Sequence, residues 1–341
     1  MATARLQLTR EQILTFRRSV GALDERLPPG PESLRRAAWA GLQDSVPRAA
    51  VLSIHARVHG TGPQAWEDPS LVQLWGPRFA VYVVAAIDHP VFSLGRLPDG
   101  GQGLRTADDL ARRLHLFLDG RKMTYSEAGH ALGVHPNSLR YAAATGTVLI
   151  RWDGARQPTI WTVPPPDVDP REARLELARR YLHVFGPATP TAFAAWAGIR
   201  PRAAGRAAFD ALSGSLTPVR TPAGDAWILT GDEPMFLVPG GVAARARLLP
   251  SGDAYTLMKD ADRELLVPDA DNRRKLWIPG VWPGAVLVAG EIVGTWRRSQ
   301  TEVTIESWRR LSRAEREAVE AEAASMPLPG LRQGVRVSWD D

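Results

Sequence analysis

The 341-residue sequence contains no cysteine. Disulfides, thiolate nucleophiles, iron–sulfur clusters and cysteine-based zinc sites are therefore excluded. Lysine is nearly missing: Lys122, Lys259 and Lys275 are the only ones, so almost all of the 42 basic residues are arginine. No run of about 18 apolar residues occurs, so no membrane span is expected. Met1 to Arg18 is polar and charged, without the apolar stretch of a signal peptide, which points to the cytoplasm. Gly100-Gly101-Gln102-Gly103 lacks both a preceding strand and a following Lys-Ser/Thr, and no Gly-x-Ser-x-Gly elbow is present. Nucleotide hydrolysis and serine-hydrolase chemistry are disfavoured on both counts.

Hydrophobic residues make up 44% of the chain, enough for a well-buried interior, and the length asks for two or three packed units. The 42 basic residues outnumber 37 acidic ones, for a formal charge of +5, an excess that permits but does not require a polyanionic partner. A GC-rich genome accounts for the arginine bias. Arginine still suits phosphates and base edges, because its planar fork donates two parallel hydrogen bonds.

The spacing predicts helices over 8–20 with Thr9 as N-cap, over 32–42, and from Pro47 to Val58. Extended arms at 71–75 and 79–85 follow around Gly76-Pro77-Arg78. A second unit is clearer: a helix over 106–118 capped by Thr106, a short helix over 124–132, a turn at Gly133-Val134, a helix over 135–144, and strands over 147–152 and 158–163. The Gly-containing turn lets the last helix of such a unit stand off and enter a groove. Beyond the Pro164-Pro165-Pro166 linker the pattern repeats loosely, with helices over 171–185, 190–197 and 202–212, a turn at Gly198, and strands over 216–220 and 225–230. From Leu248 onward, strand-like runs dominate (286–288, 292–296, 303–305 and 335–339), with one helix over 312–325. The expected fold class is α+β, with tandem winged-helix units around a mostly β C-terminal module. The divisions fall at 1–104, 105–166, 167–240 and 241–341.

Polar and basic residues cluster on the recognition-type helices: His135, Asn137, Ser138, Arg140 and nearby Arg151 in the second unit, and Arg200, Arg202 and Arg206 in the third. A groove-bound helix needs such donors, although a solvated helix face has the same composition. His55 and His59 stand four apart, a spacing able to hold a metal, but no third ligand is evident and Gly60 breaks the helix. No metal or other cofactor is expected. Gln43, Asp44 and Ser45 interrupt an apolar stretch between two helices. Asp44 or Ser45 would serve as an N-cap, and such a junction can also present side chains to bound DNA.

Several stretches along the chain carry a resemblance. They are Gly41-Leu-Gln-Asp-Ser-Val-Pro-Arg-Ala-Ala50, Tyr181 to Pro190 with Phe193 and Trp196, Leu248 to Tyr255 with Asp262-Arg263, and Gly294-Thr-Trp-Arg-Arg298. Together they resemble the AlkZ-type bacterial DNA glycosylases, tandem winged-helix proteins that excise bulky N-alkylated purines. That family's pattern is Gln-x-Gln or Gln-x-Asp just before Pro-Arg. Gln43 matches its first position, and Ser45 stands where the second Gln or Asp belongs.

The resemblance implies a monofunctional, metal-independent, monomeric glycosylase acting on duplex DNA that carries a bulky N7- or N3-alkylated purine, with self-resistance to a genotoxin as one use. Gln43 would position water, Asp44 would stabilise charge or activate that water, and Ser45 would assist. Arg48, His55, Arg57, Arg78, Arg140, Arg202, Arg206, Arg297 and Arg298 are the candidate DNA contacts. The alternative, favoured by Ser45, is a winged-helix protein that binds DNA without cutting the glycosidic bond, as a regulator or a lesion binder.

Overall fold

A computed structural model describes residues 5–46, 48–154, 156–239, 243–258, 261–328 and 335–340. Pro47, Lys259 and the expected division at 240/241 lie outside the described residues.

The chain opens with β1 (Leu6–Gln7) and α1 (Arg10–Val20). Thr9 and Gln12 form a reciprocal capping box that satisfies two otherwise orphaned N–H groups at the start of α1. Helix α2 (Pro31–Ala37) is shorter than the predicted 32–42, and the chain becomes extended as β2 (Leu42–Gln43). Gly41 makes this break. Its φ is +73°, and a Cβ there would lie 2.8 Å from the Tyr82 ring and 3.0 Å from that of Phe92. Only glycine fits. Helix α3 (Ala49–Arg57), the hairpin β3 (Leu71–Trp75) and β4 (Val81–Ala85), and α4 (His89–Ser93) follow.

The second unit has α5 (Gly101–Leu118), β5 (Met123–Thr124), α6 (Tyr125–Ala131), a 3-10 helix (Pro136–Thr145), β6 (Val148–Arg151) and β7 (Thr159–Thr162). Helix α5 starts well before the predicted cap at Thr106 and has no side-chain cap. Thr124 does cap α6, with Glu127 completing the box. The third unit has α7 (Pro170–Phe185), α8 (Pro190–Ala197), α9 (Ala203–Ala211), β8 (Leu216–Thr221), β9 (Gly224–Leu229) and α10 (Glu233–Leu237). Gly198, at φ +72°, ends α8 as a left-handed cap.

The C-terminal part contains β10 (Ala246–Leu249), α11 (Ala261–Leu266), α12 (Ala270–Leu276), β11 (Gly284–Val288), β12 (Glu291–Ser299), β13 (Glu302–Ser307), α13 (Arg313–Ala324) and β14 (Arg336–Asp340). Two short helices therefore join the expected α13 in this mostly β part. The architecture is mixed α+β.

The same device recurs in all three helical units. A short extended piece ahead of a helix pairs with the second strand of the hairpin that follows: β2 with β4, β5 with β7, and a single bridge from Ala188 to Trp227 in β9. The units are also stitched together. Gln73 of β3 pairs with Ile150 of β6, giving one six-stranded sheet in the order β2-β4-β3-β6-β7-β5. β1 lies parallel to β8, so the first strand of the chain belongs to the third unit's sheet. Strands β10 to β14 form a separate five-stranded sheet under α13. The largest core cluster joins Leu14, Tyr82, Tyr181, Phe185, Phe193, Trp196, Leu249 and Tyr255. It therefore locks the N-terminal, third and C-terminal parts around the loop that carries Gln43.

Candidate active site

Gln43 pairs with Tyr82, and the Asp44 N–H donates to the Val81 carbonyl at 2.8 Å, so the Gln-Asp-Ser run is extended. Side chains alternate along such a backbone. Gln43 and Ser45 face one side and line a cleft of about 370 Å³ with Arg78, Gly252 and Trp282, while Asp44 faces the interior. Arg78 donates to Gln43 Oε1 at 3.1 Å, and the Tyr82 hydroxyl lies 3.5 Å from the same oxygen. Arg78 and Phe79 both hold positive φ, 55° and 59°, a sparsely populated conformation for side-chain-bearing residues. It aims the guanidinium at the Gln43 amide.

On the other side of that amide, Gly252 has φ +76°, and a Cβ there would sit 3.1 Å from Gln43 Nε2. Among the described residues nothing accepts a hydrogen bond from Nε2. Gly252→Ala is expected to strain the backbone and push the amide by a few tenths of an ångström. Base release should fall while affinity for DNA stays within about twofold, measured by single-turnover kinetics beside equilibrium binding.

Asp44 is 0% exposed and does not line the cleft. Direct contact with a deoxyribose, as the sequence reading allows, is thereby corrected. The residue anchors the loop instead. Its carboxylate accepts from the Ala50 N–H at 3.0 Å, which caps α3 from within, and from Gln73 Nε2 at 2.9 Å. Gln73 in turn accepts from the Trp152 N–H at 2.7 Å, so Asp44 ties the Gln43 loop to the second unit's hairpin.

Burial pushes Asp44 from 3.8 up to about 6, against the opposing pull of the Ala50 N–H, Arg48 and Gln73. The folded chain therefore binds this proton more tightly than the unfolded one. The associated stability is present below about pH 4 and is lost as the pH rises through about 6, by up to about 3 kcal/mol. Urea midpoints of the wild type and Asp44→Asn should accordingly change their separation between pH 4 and 6 and run parallel above pH 7.

The arginines divide sharply. Arg57 is buried and gives a two-pronged hydrogen bond to Asp253 at 2.7 Å on each prong, so its assignment to phosphate is corrected. His55 is buried between Arg26 and Ser325, and burial lowers it to about 4, leaving a neutral ring that is also not a DNA contact. Helix α3 ends at Arg57, so His55 and His59 do not share a helical face. Among the described residues no group of three potential metal ligands occurs.

Arg48 is spent internally, 3.9 Å over the Trp66 ring and donating to the Trp152 and Asp153 carbonyls. Arg140 is half-buried in the wall of a second cleft, beside Trp75, rather than on the outer face of its helix. Arg78 and Arg202 line a third cleft, which meets the Gln43 cleft at Arg78 and Leu257. Arg202, Arg206, Arg297 and Arg298 are exposed.

Sequence reasoning missed Gly252, Tyr82, Gln73 and Trp282. Only Gly252 carried a signal, as part of the Pro-Ser-Gly-Asp turn within a stretch already singled out.

The chain matches the family described as DNA glycosylase AlkZ-like over residues 36–327, and it belongs to that family. Among solved structures, the Streptomyces sahachiroi DNA glycosylase AlkZ is similar, with a TM-score of 0.78 over 98% of this chain and 100% of that one, at 21% sequence identity. That likeness is one of fold. Among curated proteins nothing matches the chain. Family membership makes the chain a DNA glycosylase, and its substrate DNA. Among the described residues no helix is long and apolar enough to cross a membrane.

Proposed function

We propose that the Gln43 cleft hydrolyses the N-glycosidic bond of bulky N7- or N3-alkylated purines in duplex DNA. The observation that carries this reading is the make-up of the cleft. Among its described lining residues there is no carboxylate, and its centre is a neutral amide held by an arginine. Such a site has no strong general base and no anion to stabilise an oxocarbenium ion, so the leaving group must already be activated. A purine alkylated at N7 or N3 is cationic and fits. As the bond to the sugar breaks, its electron pair neutralises the base; water adds to C1′ and releases a proton to solvent.

The Gln43 amide, held at Oε1 by Arg78 and approached there by the Tyr82 hydroxyl, orients that water, and the Ser45 hydroxyl supports it from the same cleft. Asp44 acts through the loop it anchors. A lyase step would need an amine, and no lysine lines the cleft among its described residues, which supports monofunctional hydrolysis. The three helical units, each with a short strand, a helix and a hairpin, are read as winged helices. Arg78, Arg202, Arg206, Arg297 and Arg298 are read as its phosphate contacts. The enzyme would work as a cytoplasmic monomer without metal, in repair or in self-resistance to an alkylating genotoxin.

Base release from duplexes carrying single defined lesions tests the reading. Cationic 7-alkylguanine and 3-alkyladenine should be released, and neutral uracil, hypoxanthine and 8-oxoguanine should not. Release of the neutral bases at comparable rates would overturn it. Ser45 in place of a second Gln or Asp favours one competing reading, a lesion binder without catalysis, which the same assay identifies as a stable complex with no free base. DNA affinity should fall with salt by about 0.9 log units per log unit for each phosphate neutralised.

A further inference from the structure

Arg78 stands where two clefts meet. It lines the Gln43 cleft and the adjoining one of about 380 Å³, which also carries Arg202. Its backbone holds a φ of 55°, and the hairpin tip that carries it is seated on the end of α8, where a Cβ on Gly198 would come within 3.0 Å of the Arg78 nitrogen. Among the described residues Nη2 donates to Gln43 Oε1 at 3.1 Å, while Nε and Nη1 donate to nothing. No carboxylate among the described residues pairs with this guanidinium. The described lining of the Gln43 cleft has none. The adjoining cleft has two, and both are taken: Asp262 by Arg17 at 2.8 Å, and Asp225 by Arg5 at 2.6 Å and Arg220 at 2.9 Å.

For the proposed reaction that arrangement is electrostatically incomplete. As the C1′–N9 bond breaks, its electron pair cancels the charge of the base, and positive charge appears on C1′ and O4′ of the sugar. An unneutralised guanidinium bonded to the catalytic amide opposes that charge, more strongly in a cleft than in water. We propose that the DNA supplies the missing anion: the free donors of Arg78 take the phosphodiester next to the lesion nucleotide, and that phosphate is the counter-ion of the developing oxocarbenium. The inference rests on the reading of Gln43 given above and adds a group to its chemistry. Arg78 bonds the amide that orients water at C1′, so a phosphate on its remaining nitrogens flanks the nucleotide under attack. A guanidinium with two nitrogens open suits phosphate oxygens. The phosphate cancels the charge of Arg78 and brings its own to the sugar. It forms no bond and leaves unchanged; water adds to C1′, and its proton goes to solvent.

The experiment alters the DNA rather than the protein. Duplexes carry one 7-methylguanine, and an uncharged methylphosphonate replaces the phosphodiester immediately 5′ of it, immediately 3′ of it, or several steps away. Single-turnover release by wild type is divided by spontaneous release from the same duplex, and affinity is measured alongside. One flanking replacement should slow enzymatic release by about 10- to 100-fold, the scale of one removed electrostatic group. Affinity should fall by no more than about threefold, and the distant replacement should change release by less than about twofold. Arg78→Gln should be slowed on the unmodified duplex and should no longer respond to the flanking replacement, because both changes remove one contact. Release indifferent to both flanking replacements, a loss matched by weaker binding, or a full flanking effect in Arg78→Gln would overturn the proposal and leave Arg78 as a support for Gln43 alone. Should Arg78→Gln not fold, the wild-type comparison decides by itself. No release by wild type from the unmodified duplex would overturn the reading of Gln43 and this proposal together, so that duplex tells the two failures apart.

Discussion

Replacing Gln43 with alanine is expected to slow base release by about 100- to 1,000-fold, the usual cost of removing one preorganised polar group from a reacting centre. Affinity for lesion-bearing DNA should stay within a few-fold, because the amide is one small group beside a larger set of cationic contacts. The size of the effect follows from how the amide is held. Arg78 fixes Oε1 from a positive φ that a side-chain-bearing residue rarely adopts, and Gly252 closes the far side. A group positioned at that cost is lost as geometry and not only as a hydrogen bond. Gln43→Glu keeps an acceptor in the same place and adds an anion beside the developing cation. It should therefore retain far more activity than alanine.

The second large effect is on stability. Asp253 is buried and accepts from both prongs of Arg57, from Ser53 Oγ at 2.6 Å and from the Tyr255 N–H at 2.9 Å. Burial opposes its charge, but the Arg57 guanidinium and these donors hold its pKa below the usual carboxylate value. Asp253→Asn leaves Arg57 charged in the interior. The expected loss is about 3–5 kcal/mol, a fall in melting temperature on the order of 10 °C. Arg57→Met should cost a similar amount, while the double replacement Arg57→Met with Asp253→Leu should recover part of it, since no lone buried charge remains. Calorimetry of the three variants checks this. Asp253 adjoins Gly252, which backs the Gln43 amide, so the single variants should also lose base release below their melting transitions.

The local rules were readable in the chain. Thr9, Thr124 and Ser312 each sit three residues before a Gln or Glu, and all three form capping boxes. The hairpins at Gly76-Pro77 and around Gly154 and the cap at Gly198 were equally plain, because Gly and Pro dictate backbone conformation directly. What failed was anything decided by distant partners. Arg57 and His55 read as surface cations on a helix, yet Asp253 lies 196 residues away in sequence and Ser325 lies 270 away. The sequence reading ran the second helix to Leu42, and the crowding of Tyr82 and Phe92 around Gly41 explains why the chain turns extended there instead.

That turn decides the site, because in an extended strand Gln43 and Ser45 share a face and Asp44 does not. The spacing of the motif could be read from the sequence, but its orientation could not.

The central claim is that a neutral amide in a cleft without a carboxylate cuts the bond of an already cationic base. A single-turnover time course on a duplex with one 7-alkylguanine, run for wild type and Gln43→Ala at matched DNA occupancy, tests it most directly. The expected result is release by the wild type, slowed at least about 100-fold in the variant with binding retained. Equal rates for the two proteins, or a loss explained wholly by weaker binding, would contradict it.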